Sequence, residues 1–274
     1  MHLSSSLNDH PAIAFRLTFK SARAALNSIE KALAILLSFT PDNRPMRTVE
    51  ISHRLKMNKA TVNRILLTLK NKDFLVQDHS TRCYRLGPST ALLGRAVKQS
   101  LNGRLVALSK PYLDSLRDKV GETVHLEVLT GGRIFLSYSA KGIGQVTVTP
   151  RVGDQMAINA NAGAKAIMAF SPQETIENEL NRKLKKFTTK TVTDPNKIRK
   201  EYEKIRTTGF AYDRGEYDDD VDAVAAPVFN HEKRVVAAVV IVTPSFRIGS
   251  SIESGSLELL KDTAIEISDR LSML

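Results

Sequence analysis

Asn58-Lys59-Ala60-Thr61-Val62-Asn63-Arg64-Ile65-Leu66-Leu67-Thr68-Leu69, then Lys70 to Asp73, Phe74-Leu75-Val76, a polar turn and Tyr84-Arg85-Leu86-Gly87, is the stretch whose reading decides the fold. Val62, Ile65, Leu66 and Leu69 stand at i, i+3, i+4 and i+7, the spacing of one buried helical face, and Asn58 is placed to cap the first turn. Lys59, Thr61, Asn63, Arg64 and Thr68 are left toward solvent or a partner. Phe74 to Val76 and Cys83 to Leu86 then have the composition of two short strands around His79-Ser80-Thr81, with Arg82 and Arg85 on the second. A helix with polar outward residues followed by a basic hairpin is the second half of a winged helix-turn-helix. Taken alone, the helix also fits an ordinary core element with a solvated basic face, so its neighbours carry the decision.

Upstream, Ile29, Leu33, Leu36 and Leu37 predict an amphipathic helix from Ser28 to Phe39, closed by Pro41-Asp42-Asn43-Arg44-Pro45. Thr48 is positioned to cap a second helix whose Ile51 and Leu55 face the core, and Lys56-Met57-Asn58 makes the tight turn into the third. Residues 1–26 read as a Ser-rich, then basic extension in which Ala12 to Leu26 is able to form a short helix. Downstream, Pro88 opens a helical segment with Leu93, Val97, Leu101, Leu105 and Leu108 in a stripe, suited equally to a second copy of the chain or to its own domain. Pro111 is expected to interrupt it.

From Glu122 the pattern changes to β-prone runs at Thr123 to Leu129, Arg133 to Ser139 and Gln145 to Val152, with Gly131-Gly132 as a hairpin signal. Helices are predicted at Ala160 to Phe170, Pro172 to Leu184, Asp194 to Thr207 and Gly255 to Leu274, and strands at Ala223 to Phe229 and Arg234 to Thr243. The predicted organisation is multi-domain α plus α/β: an extension (1–26), a winged helix-turn-helix (27–87), a linker helix (88–110) and an α/β domain with a largely antiparallel sheet (111–274).

Charge placement supports the DNA reading. Of the net +11, residues 1–104 hold 17 Lys and Arg against 6 Asp and Glu, whereas the rest of the chain carries 23 of each. Such asymmetry suits phosphate contact, and a membrane surface or an acidic protein would also accept it. One cysteine, Cys83, excludes an intramolecular disulfide. Met1 to Ser28 is broken by Arg16, Lys20 and Arg23, unlike a signal peptide, and no run reaches the length of a membrane span, so a cytoplasmic location is expected.

An enzyme is the rival class. The six histidines, at 2, 10, 53, 79, 125 and 231, show no metal-ligand spacing, so no metal, cofactor or catalytic residue is assigned. His125 lies in a strand-like run and reads as a packed or hydrogen-bonded residue. Asp218-Asp219-Asp220 with Asp222 lacks the alternation, Gly turn and terminal Glu of a calcium loop and reads as a solvated acidic loop.

With the order of elements in hand, the chain resembles the IclR-type family of bacterial transcription regulators from about Asn27 to the C-terminus. The segments that carry the likeness are Ser28-Ile29-Glu30-Lys31-Ala32-Leu33-Ala34-Ile35-Leu36, Lys59-Ala60-Thr61-Val62-Asn63-Arg64-Ile65-Leu66, Tyr84-Arg85-Leu86-Gly87, Glu122-Thr123-Val124-His125-Leu126, Arg151-Val152-Gly153, Glu216, and Val224-Ala225-Ala226-Pro227-Val228-Phe229. The resemblance implies a winged helix that binds double-stranded DNA, a linker helix that dimerises it, and a GAF-like domain that binds a small effector; tetramers on DNA are compatible with it.

By residue type and position, Thr61 and Asn63 are suited to base edges, Lys59, Arg64 and Arg47 to phosphates, and Arg82 and Arg85 to backbone or the minor groove. A dimer predicts a palindromic operator. In the family the effector cup lies between the sheet and the loop before the helix at Ala160 to Lys165, which places Val148, Ala162, Gly163, Asp213, Ala223, Val240 and Val242 around the ligand. The chain departs from the usual family run there: Asn159 and Asn161 replace His and Thr, and Gly163 stands one place early. Ala223 stands where the family commonly carries Cys, and Val240 and Val242 where relatives that bind small keto acids carry Ser; losing these three polar groups points to a larger, more apolar ligand such as an aromatic or alicyclic acid. The alternatives left open are that Val240 and Val242 only pack the core, and that the C-terminal part only dimerises an effector-independent DNA binder.

Overall fold

The computed structural model describes residues 27–40, 42–99, 101–148, 150–247 and 255–273. The expected extension at 1–26, and with it the Ala12 to Leu26 helix, lies outside them. The chain divides into two compact units, Met1–Leu92 and Leu93–Leu274. The helix α4 (Pro88–Gln99) carries the sequence across the division.

The first unit contains α1 (Ser28–Leu37), α2 (Thr48–Leu55) and α3 (Lys59–Asn71), then a hairpin of β1 (Leu75–Gln77) and β2 (Tyr84–Leu86). Each helix start has an identifiable cause. Asn27 Oδ1 accepts the Glu30 N–H at 2.9 Å while Glu30 Oε2 accepts the Asn27 N–H at 2.7 Å, a reciprocal cap. Asn58 Oδ1 accepts the Ala60 N–H at 2.8 Å, as the sequence predicts. Thr48 is not a cap: Arg47 holds that position, its N–H bonded to Glu50 Oε2 at 2.7 Å.

The core of this unit joins Ile35, Phe39, Met46, Ile51, Val62, Ile65, Leu66, Leu75 and Tyr84. That corrects the reading of α1, because Ile29 and Leu33 are 72% and 51% exposed and Ile35 and Phe39 face inward. The helix carries two apolar stripes, and periodicity has no means of choosing between them. Met46 bridges Tyr84 and Asn43 Oδ1 accepts the Leu86 N–H at 2.7 Å, which ties the wing to the loop after α1. A side chain on Gly87 would collide with the Asp73 carbonyl, so only glycine lets the second strand pass the end of α3.

The second unit is built on a five-stranded antiparallel sheet of β3 (Thr123–Thr130), β4 (Arg133–Ala140), β5 (Ala211–Arg214), β6 (Val221–Phe229) and β7 (Val235–Pro244), in the order β4-β3-β7-β6-β5. Gly131 and Gly132, at φ +57° and +76°, form the two-residue turn between β3 and β4. Helices α5 (Leu101–Val120) and α9 (Leu257–Leu271) cover one face, through Leu113, Leu116, Leu260 and Ile267 against Val124, Leu126, Val239 and Ile241. The other face lies under α6 (Ala162–Ala169), α7 (Gln173–Leu180) and α8 (Pro195–Thr208).

Three expectations are corrected here. Pro111 sits inside α5 without ending it. A mid-helix proline costs about 3 kcal/mol, and burying Leu105, Leu113 and Leu116 at roughly 1.5–3 kcal/mol each outweighs that. Among the described residues of Gln145 to Val152 there is no strand; side chains satisfy part of this backbone instead, Thr123 Oγ1 donating to the Val148 carbonyl at 3.0 Å and Arg247 to that of Val146 at 2.8 Å. The edge strand β5 is missed by the sequence reading, because four residues with an Asp and a Gly beside them read as a turn.

Candidate functional site

Two sets of residues were expected to meet, one in each unit. In the first unit, Lys59, Asn63 and Arg64 are exposed on α3, whereas Thr61 is half-buried on its flank. Arg64 and Thr68 border a groove of about 280 Å³ shared with Ser28 and Ala32 of α1. Arg47 is exposed at the start of α2 and Arg85 on β2; Arg82, expected on that strand, stands instead in the turn before it at φ +59°. The wing tip is held by Asp78, whose Oδ1 accepts the N–H groups of Ser80 and Thr81 at 2.9 and 2.7 Å and their hydroxyls at 2.6 and 3.0 Å. Those donors hold its carboxyl well below the usual range. The wing therefore presents its arginines from a braced turn.

In the second unit, the register places the expected cup residues together. Thr123 and Ala223 both lie opposite Val242, His125 and Ala225 opposite Val240, Glu127 opposite Ala238, and Asp213 opposite Ala223. Directly opposed residues share a face, so Asp213, Ala223, Val240 and Val242 lie on one side of the sheet with Thr123, His125 and Glu127. Ala162 and Val148 pack into the same cluster. Asn161 caps α6 there, its Oδ1 accepting the Ala164 N–H at 2.8 Å. Gly163 lies directly on the sheet: a Cβ would come within 2.6 Å of Glu127 Cδ and 2.7 Å of Val240 Cγ2.

The electrostatics of this face are acidic. Glu127 is fully buried, and among the described residues neither carboxylate oxygen has a hydrogen-bond partner. Burial pushes its pKa up to about 8, the Asp213 charge adding to the rise, while the Asn161 amide lies near enough to oppose it without forming a bond of good geometry. Asp213 is pushed up to about 7 by burial, against the N–H groups of Glu216 and Tyr217 that its Oδ1 accepts at 2.7 and 3.3 Å and against the Lys165 charge. His125 is lowered to about 3 by burial and is neutral, with Nε2 unpartnered.

Lys165, fully buried on α6, donates to Glu201 Oε1 at 2.8 Å, Glu216 Oε1 at 2.7 Å and the Tyr212 carbonyl at 2.8 Å, so all three of its protons are used. Glu127 and the Lys165 cluster were missed from sequence. The strand run Thr123 to Leu129 and a packed His125 were legible, but nothing in the alternation shows that α6 buries Glu127 beside it. Among the described residues no three His, Cys, Asp or Glu side chains are grouped to hold a metal ion.

Comparison with known proteins accounts for both units. The IclR helix-turn-helix domain matches residues 28–79 and the bacterial transcriptional regulator IclR C-terminal domain matches residues 97–269. The chain is 28% identical over 251 residues to the HTH-type transcriptional regulator XynR of Escherichia coli, covering 90% of this chain and 97% of that one. It is similar to the solved IclR transcriptional regulator of Alicyclobacillus acidocaldarius, with a TM-score of 0.73 and 28% identity over 91% of this chain and 100% of that chain. It also shares its fold with an IclR homologue from Microbacterium hydrocarbonoxydans solved in complex with 4-hydroxybenzoate, with a TM-score of 0.76 and 21% identity over 90% of this chain and 100% of that chain. Such relatives are regulators and not enzymes. With its helix-turn-helix and antiparallel α/β units both accounted for in order, the chain belongs to the IclR family of bacterial transcriptional regulators.

Proposed function

We propose that the protein binds a palindromic operator as a homodimer in the cytoplasm and that a small molecule held on the α6 side of the sheet changes this binding. The observation that carries the effector half is the convergence of Val148, Ala162, Gly163, Asp213, Ala223, Val240 and Val242 on one cluster. Asn63 would read base edges, Lys59, Arg64 and Arg47 would hold phosphates, and Arg82 and Arg85 would extend the contact through the wing. Thr61, half-buried, has the weakest claim to a base. Residues 88–110 would join the two functions as the dimerising linker. Coupling would arise because ligand binding favours one arrangement of the dimer and so one spacing of its two recognition helices.

The 4-hydroxybenzoate complex of the neighbour supports the aromatic or alicyclic acid expected for the ligand. The two buried acids in the cup bear on its charge. The test is binding of the purified protein to its own upstream intergenic DNA, titrated against salt and random DNA and then against candidate ligands. Selective binding with a steep salt slope is expected, and binding no better than to random DNA would sink the operator assignment.

A further inference from the structure

Buried polar atoms almost always find partners, so those that do not call for an explanation. On the cup face, both oxygens of Glu127 and Nε2 of His125, two residues earlier on β3, have none. Among the described residues, no cation around Glu127 is free to pair with it. The same strand offers neutral His125, β5 offers the acid Asp213, and the turn after β5 offers Glu216 and Tyr217. From α6 come the Asn161 amide and Lys165, whose three protons go to Glu201 of α8, Glu216 and the Tyr212 carbonyl. Asp154 adds another negative charge near Tyr217. The rest of the face is Ala223, Ala238, Val240 and Val242. Gly163 makes room for the carboxyl, since any side chain there would strike it. The fold thus maintains a buried, unpartnered carboxyl, Glu127, within reach of the charge of Asp213, in an apolar surround.

We propose that the cup takes a ligand with a cationic nitrogen, an amidinium or ammonium on a compact apolar body, whose N–H groups pair with the carboxylate of Glu127 beside Asp213. This rests on reading the cup as the effector site, and it assigns the ligand a charge opposite to that of the acid expected from family resemblance. An amidinium presents two parallel N–H groups that match both oxygens of one carboxylate, whereas a ligand carboxylate could take only the single proton of neutral Glu127 and would leave its other oxygen unpaired. Because Glu127 is sealed beneath Gly163, the ligand reaches it by lifting the first turn of α6 off the sheet, a movement that gives binding a structural consequence.

The pH dependence has a definite sign. Glu127, held near 8, is protonated at neutral pH in the free protein. A cation favours its carboxylate, so binding releases a proton, and affinity rises with pH by up to about tenfold per unit before levelling above 8.

The test is isothermal titration calorimetry on the full-length protein with benzamidine, benzoate and benzamide as matched probes between pH 6.5 and 9, with operator binding measured in parallel. Benzamidine is expected to bind about tenfold or more tightly than the other two, and more tightly at pH 8 than at pH 7. Glu127→Gln is expected to lose at least tenfold in benzamidine affinity while retaining cooperative melting and DNA binding. Benzoate binding that is tighter than benzamidine binding and weakens in Glu127→Gln would keep the cup as the effector site and overturn the charge assignment. If neither probe binds while operator binding persists, the ligand reading of the cup fails and this inference with it. The wild-type pH profile decides the same point without a variant: benzamidine affinity that is flat or falls with pH overturns it.

Discussion

Glu127, Asp213 and His125 set opposing limits on stability. The folded pKa values of the two acids, about 8 and about 7, lie above their ordinary 4.5 and 3.8. Their contribution is therefore fully present below about 4 and lost as pH rises through 7 to 8. His125, lowered from 6.5 to about 3, contributes stability that is present above 6.5 and lost as pH falls. Glu127→Gln should melt near the wild type at pH 4 and a few degrees above it at pH 9, the gap opening between about 4.5 and 8; parallel pH profiles in calorimetry would remove the buried carboxyl as the cause. Lys165→Met leaves Glu201 and Glu216 without their cation and should cost about 3–5 kcal/mol by denaturant titration. On the DNA side, Asn63→Ala should narrow the gap between operator and random DNA, while Arg64→Ala should weaken both equally and reduce the salt slope by about one per subunit. Full discrimination by Asn63→Ala would take it off the bases.

Among the elements, α1 shows what a pattern leaves open. Ile35→Ala empties a fully buried site and should cost about 2–5 kcal/mol, whereas Leu33→Ser, on the exposed stripe, should change stability by less than about 0.5 kcal/mol. Reversal of that order in urea melts would restore the face first read from sequence. Gly163 is the matching case in α6. An added methyl there meets Glu127 and Val240, so Gly163→Ala should cost about 1–3 kcal/mol, and less in a Glu127→Ala background, a coupling readable by a double-mutant cycle.

For the whole molecule, charge is divided by function. All the net +11 resides in residues 1–104 and the remainder balances. A dimer that neutralises six or more phosphates loses about 10³-fold or more in affinity between 50 and 200 mM salt. Fluorescence anisotropy should show that loss, with an unchanged slope in Glu127→Gln, since the cup belongs to the part of the chain beyond residue 104, whose charges balance. A slope that changes with the cup variant would mean the two units share the phosphate contacts.

What the sequence determined by itself was most of the elements, the strand Ala211–Arg214 and the run 145–152 excepted, and the identity of the reading helix. Spacing at Val62, Ile65, Leu66 and Leu69, the Asn58 cap and the Gly131-Gly132 turn are local rules, satisfied within a few residues whatever surrounds them. Asp213, Ala223, Val240 and Val242 came within reach as a set only through the family resemblance, since the strand that holds Asp213 left no pattern to read. Only the tertiary structure decided which stripe of α1 is core, that α5 runs through Pro111, that Ala211–Arg214 is an edge strand, and that Glu127 is buried. Those outcomes depend on what covers a surface. A strand such as Thr123–Thr130 has polar residues on one face whether water or a helix lies over it, and it is α6, contributed about forty residues later in the chain, that turns a solvated acid into an unpaired one.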